Sequence, residues 1–344
     1  MNPFTKMYRK GINLGGWLSQ YGHNKNIGDP HFHTFITIKD IAHIANIGFD
    51  HIRLPVDYMI FESDDDPGVY NENGLQHIDL CLEWCAQYNL NLILDLHYAP
   101  GFSFNAHETN CLFSDSNMQK RFIDIWRYFT KRYLHEGKNV SFELLNEVVE
   151  PTPGSWNTLA KRTVEQIRKM DKNRTIIIGS NDYNCVTDLK DLSIIQNDDN
   201  IVYNFHFYEP MIFTHQGASW SKIPTAYGIP TSYPSIFPGI AAFLDKHPEF
   251  TYCKQYIDRY IDIEHLRHHL QPAVDFIKET GKTLYCGEYG VIQNADPKSR
   301  SHWLKDCNQL LDEYGIGRAV WTYKAMHFGL MDNHNTIDSS LLQF

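Results

Sequence analysis

The segment VSFELLNE at residues 140–147 runs an apolar strand directly into an asparagine and a glutamate, and TLYCGE at residues 283–288 ends in a glutamate in the same way. A carboxylate at the end of a buried strand loses hydration, which disfavours its charged form unless partners compensate. Glu147 and Glu288 are therefore a candidate pair of reactive carboxylates. The alternative is that both are ordinary strand-end glutamates that cap the helices after them.

Six further apolar runs resemble these two segments, and amphipathic stretches separate them. In chain order the eight runs are GINLG from Gly11, HIRLP from His51, NLILDLH from Asn91, VSFELLNE from Val140, TIIIGS from Thr175, IVYNFHF from Ile201, TLYCGE from Thr283 and RAVWTY from Arg318. Alternating strands and helices with nearly continuous apolar strands predict an α/β fold, the parallel (β/α)8 TIM barrel. The active site of such a barrel is built at the carboxyl ends of its strands.

The interval between the sixth and seventh runs, from Ile201 to Thr283, is about twice as long as the others. Residues 209–261 within it are rich in Pro, Tyr, Phe and Ser and lack the composition of a linker. We interpret residues 1–344 as a single catalytic barrel domain. The stretch at about 209–261 is predicted to be an inserted subdomain over the active-site face.

Composition argues against several kinds of partner. The net charge is −10 and no run of Lys and Arg occurs, whereas nucleic acids and anionic membranes require concentrated positive charge. Seven dispersed cysteines without a CxxC pair indicate neither a disulfide framework nor a zinc site. Because no apolar run reaches the length of a signal peptide or a membrane span, we expect a soluble monomer, cytoplasmic, or secreted if a signal was removed.

Polar and aromatic side chains stand at the ends of most of the predicted strands, where a barrel brings them together. They are two acids, an arginine, two histidines, a phenol, an amide and an indole: Arg53, His97, Asn146, Glu147, His206, Tyr208, Glu288 and Trp321. Cleavage of a glycosidic bond needs one carboxylic acid to protonate the leaving oxygen and one carboxylate to attack or to activate water. The set meets that need, so the sequence predicts a glycoside hydrolase with no metal and no cofactor.

The neighbours of the two glutamates suggest which role each one takes. Arg53 and the hydroxyl of Tyr208 are suited to stabilise an anion at Glu288, which predicts the nucleophile. Repulsion between the carboxylates raises the proton affinity of Glu147, which predicts the acid/base. Asn146 is expected to hydrogen-bond the sugar 2-hydroxyl.

Two tryptophans are candidate platforms for sugar rings, because aromatic faces stack on flat, weakly polar ligands. Trp321 ends the eighth strand and is expected to lie beneath the ring beside the cleaved bond. Trp220 lies in the insertion and is predicted to wall one side of the cleft. The alternative for Trp220 is a packing role with a buried indole.

These residues and their surroundings resemble glycoside hydrolase family 5, a family of retaining (β/α)8 enzymes in which the eight strand-end residues recur in this order. The segments GINLGGWLSQY, FDHIRLPVDY, FELLNEVVEP, YNFHFYEPMIFTHQ and LYCGEYGV are most similar to the endoglucanase C group of clostridial cellulases. That group also carries a long insertion after the sixth strand. One departure is Tyr98 after His97, where the group tends to have a second histidine.

The resemblance implies a retaining endo-β-1,4-glucanase, a cellulase that hydrolyses cellulose-type and mixed-linkage β-1,3-1,4-glucans by double displacement. A β-1,3-glucanase, a mannanase or an oligosaccharide-trimming β-glucosidase would keep the same site and change the loops. The sequence also leaves open whether attack is internal or terminal.

Two alternatives come from other classes of protein. A metal-dependent hydrolase would take its ligands from histidines near strand ends, for which the candidates are His31, His33, His97 and His206. No strand ends in HxH, however, and His97 and His206 already have places in the sugar site. A catalytically inactive carbohydrate-binding barrel would hold sugars on Trp17, Trp220 and Trp321, although both glutamates are intact.

Overall fold

Eight parallel strands close into a barrel in the structure, a computed structural model that describes residues 2–22, 27–105, 110–150, 152–331, 336–337 and 339–342. The strands are β1 Lys10–Asn13, β2 His51–Asp57, β3 Asn91–Tyr98, β4 Val140–Glu143, β5 Thr175–Gly179, β6 Ile201–Phe207, β7 Thr283–Tyr289 and β8 Gly317–Val320. Pairing of Gly11 in β1 with Ala319 in β8 closes the barrel. The predicted (β/α)8 fold is confirmed, and each of the eight predicted runs contributes one strand.

Helices cover the outside of the barrel, and local sequence sets where they begin. Thr37 is the N-cap of the first long helix, and Asp40 accepts its backbone N–H at 2.8 Å as in a capping box. The longer helices are Ile38–Asn46, Glu72–Gln87, Ser116–Arg132, Pro153–Arg168, Ile263–His269, Gln271–Thr280 and Pro297–Glu313. Shorter ones are Pro3–Met7, His31–Thr34, Met211–Thr214, Lys222–Tyr227 and Ile240–Lys246, with 3₁₀ turns at Tyr58–Ile60, Val186–Asp191, Thr251–Tyr256 and Ser339–Leu342.

The connection from β5 to β6 differs from the other units. Residues 180–200 are all described, and they contain no long helix. A left-handed turn at residues 182–184 and the 3₁₀ helix Val186–Asp191 take its place.

Three buried tryptophans on the outer helices donate hydrogen bonds to backbone carbonyls at the carboxyl end of the barrel. Trp126 donates its indole N–H to the carbonyl of Leu144 at 3.1 Å, and Trp156 donates to Gly179 at 2.9 Å. Trp303 donates to the carbonyl of residue 209 at 2.9 Å. Each acceptor lies at or just beyond the carboxyl end of a strand, so these bonds hold the loops that carry the site.

The insertion packs on the barrel through a shared apolar core. Its buried side chains belong to the same continuous hydrophobic cluster as the barrel helices, and include Phe213, Tyr233, Phe237, Phe243 and Tyr256. A two-stranded antiparallel ribbon, Ser235–Ile236 with Tyr260–Ile261, closes it. This shared core supports the interpretation of an inserted subdomain, which stays a prediction. Among the described residues, no helix has both the length and the apolar character needed to cross a bilayer.

Candidate active site

All eight predicted strand-end residues meet at the carboxyl end of the barrel, joined by direct contacts. Arg53 lies within β2, so it enters from the floor of the site, whereas Asn146 and Glu147 follow β4 by a few residues. Tyr208 and Trp321 each stand just after the last residue of a strand. The convergence predicted from strand ends is therefore what the structure contains.

Arg53 is fully buried and its guanidinium contacts three carboxyl groups. Nε and Nη2 donate to the two oxygens of Glu143 at 2.7 and 2.9 Å. Nη1 donates to Oε1 of Glu288 at 2.8 Å, and Nη2 lies 3.0 Å from Oδ2 of Asp95. A planar guanidinium suits this arrangement because its five N–H groups point in fixed directions.

One cation cannot compensate the burial of three carboxylates, so the proton affinities of these carboxyl groups rise. Burial raises the pKa of Asp95 to about 7, although Arg53 opposes the change. Burial likewise raises the pKa of Glu143, again with Arg53 opposing. The carboxyls at the floor of the site therefore bind protons more readily than the same groups would in water.

Sequence reasoning missed Asp95 and Glu143. Asp95 interrupts the apolar run NLILDLH, and Glu143 interrupts VSFELLNE before its final glutamate. A charge in the middle of an apolar run requires a buried partner, and that requirement is the signal that could have found both. Only residues at the ends of the runs were predicted to face the site, which left these two out.

Two asparagines shape the backbone that presents Glu288. Asn204 accepts the N–H of Gly287 at 2.8 Å, and Asn13 donates to the carbonyl of Gly287 at 3.0 Å. The strand pairing shifts register here, between Cys286 and Glu288. A Cβ at Gly287 would lie 2.7 Å from the amide nitrogen of Asn204, so this bulge requires glycine.

The two glutamates have different partners. Glu288 receives hydrogen bonds on both oxygens, from Arg53 and from the hydroxyl of Tyr208 at 2.8 Å. Glu147 contacts Nδ1 of His206 at 3.0 Å, and its backbone is left-handed with φ of 40°. A side-chain oxygen of each glutamate and a ring nitrogen of His206 all lie within 4.8 Å of one another.

Electrostatics separates the pair further. Burial and then the charge of Glu288 raise the pKa of Glu147 well above its usual range. Burial also raises the pKa of Glu288, but Arg53, His97 and Tyr208 oppose that rise. Glu147 is thus the better holder of a proton and Glu288 the better anion.

The remaining predicted residues line the same site. His97 is neutral because burial lowers its pKa to about 3, and its Nδ1 lies 2.7 Å from Asp95. Asn146 accepts from Arg53 at 2.8 Å and lies 3.4 Å from Nε2 of His97. The ring of Trp321 is parallel to that of His97, with centroids 5.8 Å apart.

The exposure of Trp220 and Trp17 decides two alternatives: whether the Trp220 indole is buried, and whether Trp17 is able to hold a sugar. Trp220 is 56% exposed and its ring lies 5.1 Å from that of His327, so the alternative of a buried indole is wrong. Its role as a sugar platform stays a prediction. Trp17 is fully buried and donates to the carbonyl of Phe32, so it presents no face to a ligand.

Tyr98, which departs from the endoglucanase C pattern, is buried beside the site. Its hydroxyl accepts a hydrogen bond from Asn105 at 3.0 Å, and its ring packs on Phe104. The phenol therefore supports the loop after β3, where a second histidine would offer a polar ring.

A four-histidine metal site is wrong for the described part of the chain. His31 contacts the carbonyl of Trp17 and His33 packs on His77, and among the described residues neither belongs to a group of side chains close enough to share an ion. Within the described ranges, the one group of three or more metal-ligand side chains close enough to share an ion is Glu147, His206 and Glu288. Both oxygens of Glu288 already accept hydrogen bonds, and the adjacent guanidinium repels a second cation.

A closed (β/α)8 barrel with two neighbouring carboxyls in unlike surroundings at its carboxyl end is typical of a glycoside hydrolase. A model of the cellulase family, glycosyl hydrolase family 5, matches residues 13–327. The chain belongs to this family.

Individual relatives agree with the family match. Endoglucanase C of Acetivibrio thermocellus is 50% identical over 321 residues, which cover 93% of this chain and 92% of that protein. Cellodextrinase A of Ruminococcus flavefaciens is 37% identical over 312 residues, covering 90% of this chain and 83% of that protein. The crystal structure of endoglucanase Cel5A from Thermotoga maritima has the same fold, with a TM-score of 0.78 and 23% identity over 100% of this chain and 99% of that one.

Replacing Arg53 tests whether its charge holds the floor of the site together. Arg53→Met leaves buried carboxyls without their cation, and we expect the free energy of unfolding at pH 8 to fall by about 3–5 kcal/mol. The loss should be smaller at pH 5, because carboxyls whose folded-state pKa is raised bind protons as the pH falls through that value and the unpaired charge disappears. Guanidinium chloride unfolding at both pH values measures the difference.

Arg127→Met is the matched control. Arg127 is 55% exposed and pairs with Asp124 on the helix surface, so its loss should change stability by about 0.5 kcal/mol or less at either pH. An equal loss for Arg53→Met at pH 8 and pH 5 would contradict the electrostatic explanation and leave packing alone as the cause.

Proposed function

We propose that the chain is an endo-β-1,4-glucanase that cleaves cellulose-type and mixed-linkage β-1,3-1,4-glucans with retention of configuration. The observation that carries the mechanism is the distance of at most 4.8 Å between the nearest oxygens of Glu147 and Glu288. Retaining enzymes hold their carboxyl groups about 5–5.5 Å apart, whereas inverting enzymes need about 6.5–9.5 Å to admit a water molecule. The names and identities of the endoglucanase C relatives support the substrate class.

In the first step, Glu288 attacks the anomeric carbon while Glu147 gives its proton to the leaving oxygen. Arg53 and Tyr208 hold Glu288 as an oriented carboxylate, since each donates to one of its oxygens. The product is a covalent glycosyl-enzyme and a free shortened chain.

In the second step, the ester bond has removed the negative charge of Glu288. The repulsion that raised the pKa of Glu147 is then absent, so Glu147 becomes a suitable base. It takes a proton from water as the water attacks the anomeric carbon, which frees Glu288. Asn146 has a further N–H for the sugar 2-hydroxyl, and Trp321 supplies an apolar face beneath the ring.

Cleavage of short oligosaccharides is a second candidate activity. The 37% identity to a protein named cellodextrinase A favours it, because one barrel site can serve substrates of different length when its loops differ. Substrate length is therefore decided by the loops and the insertion, and experiment must separate the two.

Product analysis tests the substrate class. Purified protein is incubated separately with carboxymethyl-cellulose, barley β-glucan, laminarin and mannan, with Glu288→Ala as the inactive control, and the products are separated by chromatography. We expect a ladder of oligosaccharides from the first two polymers only. Release of single sugars, or cleavage only of laminarin or mannan, would move the enzyme to another specificity.

The roles of the two glutamates are tested by separate variants. Glu288→Ala should abolish turnover. Added azide should restore turnover and give a glycosyl azide of inverted configuration, because a small anion can occupy the space of the lost carboxylate. Glu147→Gln should slow hydrolysis by about 10² to 10⁴-fold on natural glucans and much less on aryl glycosides with activated leaving groups. Equal loss on both substrate types would show that Glu147 is not the acid.

Trp220→Ala tests the sugar platform in the insertion. Loss of an exposed aromatic face should raise KM for long cello-oligosaccharides several-fold and leave KM for short ones unchanged, because a sugar ring stacks on the indole only when the substrate is long enough to reach it. Tyr260→Ala, at a 58% exposed aromatic of the same insertion, is the matched control. If Trp220→Ala instead lowers the melting temperature, and its effect on KM is the same for short and long oligosaccharides, the platform role is contradicted.

A further inference from the structure

A left-handed turn follows β5 beside the site, and a second run of three residues with positive φ lies at residues 325–327 after β8. Asp182, Tyr183 and Asn184 have φ values of 49°, 60° and 56°, and none of them is glycine. This conformation costs roughly 1 kcal/mol or more for each such residue, so single residues adopt it far more often than runs of three. A strained run beside an active site calls for a functional explanation.

The turn directs Asn184 back into the mouth of the barrel. The side chain is fully buried, and its amide nitrogen lies 3.2 Å from Nε2 of His206. The other ring nitrogen of His206 lies 3.0 Å from Oε1 of Glu147. Asn184, His206 and Glu147 thus form a continuous chain of polar contacts.

Backbone features hold this chain in place. Tyr183 donates its N–H to the carbonyl of Val148 at 3.1 Å, which ties the turn to the residue after Glu147. Gly179 at the end of β5 makes room, since a Cβ there would lie 2.4 Å from Oδ1 of Asn184. Both Gly179 and the left-handed turn are therefore needed to place the amide group of Asn184 beside His206.

The amide decides where the proton of the imidazole lies. Burial, with Arg53 and His97, lowers the pKa of His206 well below its usual range, so the ring is neutral and has a single N–H. The nitrogen of Asn184 donates, and therefore Nε2 of His206 must accept. The ring proton is then on Nδ1, directed at Glu147.

We propose that Asn184 is a positioning residue that fixes His206 as the Nδ1–H tautomer, so that the imidazole donates a hydrogen bond to Glu147 whenever that carboxyl is ionised. The inference rests on the proposed acid/base role of Glu147. The bond stabilises the carboxylate in the second step, when Glu147 must accept a proton from water.

Other charged and titratable groups also face this pair, from several strands and loops. They are Arg53, Asp95, His97, Glu143, Tyr183, Tyr208 and Glu288. None of them is altered by changing the amide of Asn184, so a change in pH dependence on its replacement is assigned to His206.

The tautomer is measured directly by long-range ¹H–¹⁵N spectra of histidine-labelled protein, with the His206 signal assigned by its loss in His206→Asn. Wild-type protein should show a protonated Nδ1 and a bare Nε2. Asn184→Asp, of the same size and equally tolerant of positive φ, replaces the donor with an acceptor and should place a proton on Nε2. Asp182→Asn, at an exposed position of the same turn, should leave the spectrum unchanged.

Asn184→Gly tests the consequence for catalysis, because glycine accepts the left-handed backbone and only the amide is lost. The alkaline limb of kcat/KM should move up by about one pH unit, since Glu147 without an assured donor is a weaker acid. A uniform loss without movement of the limb, or a bare Nδ1 in the wild-type spectrum, would overturn the proposal.

The two readouts also separate this proposal from the proposed function. The spectrum reports the tautomer whether or not Glu147 is the acid. If Glu147→Gln fails to discriminate between leaving groups while the tautomer is as expected, the acid/base assignment is wrong and the contact with Asn184 stands.

Discussion

The contact of one buried guanidinium with three carboxyl groups is the interaction on which the rest of the site depends. Arg53 joins β2 to residues of β3, β4 and β7, so a single side chain links half of the barrel at its mouth. Its charge allows Glu288 to remain an anion in a place that otherwise favours the neutral acid. That charge does not fully offset the cost of burying further carboxylates beside it, and burial raises the pKa of Asp95 to about 7 although Arg53 opposes the change.

Because of that constraint, Glu147 and Glu288 differ in proton affinity although their side chains are chemically identical. Glu288 lies where two donors reach its oxygens, and Glu147 lies where its main partner is a neutral imidazole. Each is also close enough to raise the proton affinity of the other. The neutral state of His206 matters here, because a charged imidazole would favour the anion of Glu147 and remove the proton that Glu147 must donate.

Much of this arrangement was predictable from the strands. Apolar runs that end in polar residues gave the barrel, and barrel geometry then placed Glu147, His206 and Glu288 together. Asp95 and Glu143 were missed because only strand ends were considered, yet their charge inside an apolar run was visible. Asn184 carried no signal: an asparagine in a connecting segment is common, and only the folded turn aims its amide at His206.

The sequence by itself determined the class of fold, the order of the strands and the candidate pair of carboxyls, because alternation of apolar strands and helices and the polar ends of strands are local features. The tertiary structure alone decided the partners of each carboxyl, the left-handed backbone at Glu147, the exposure of Trp220 and the burial of Trp17. Hydrogen-bond partners and burial depend on groups distant in the chain, and proton affinity depends on both, so no local pattern encodes them.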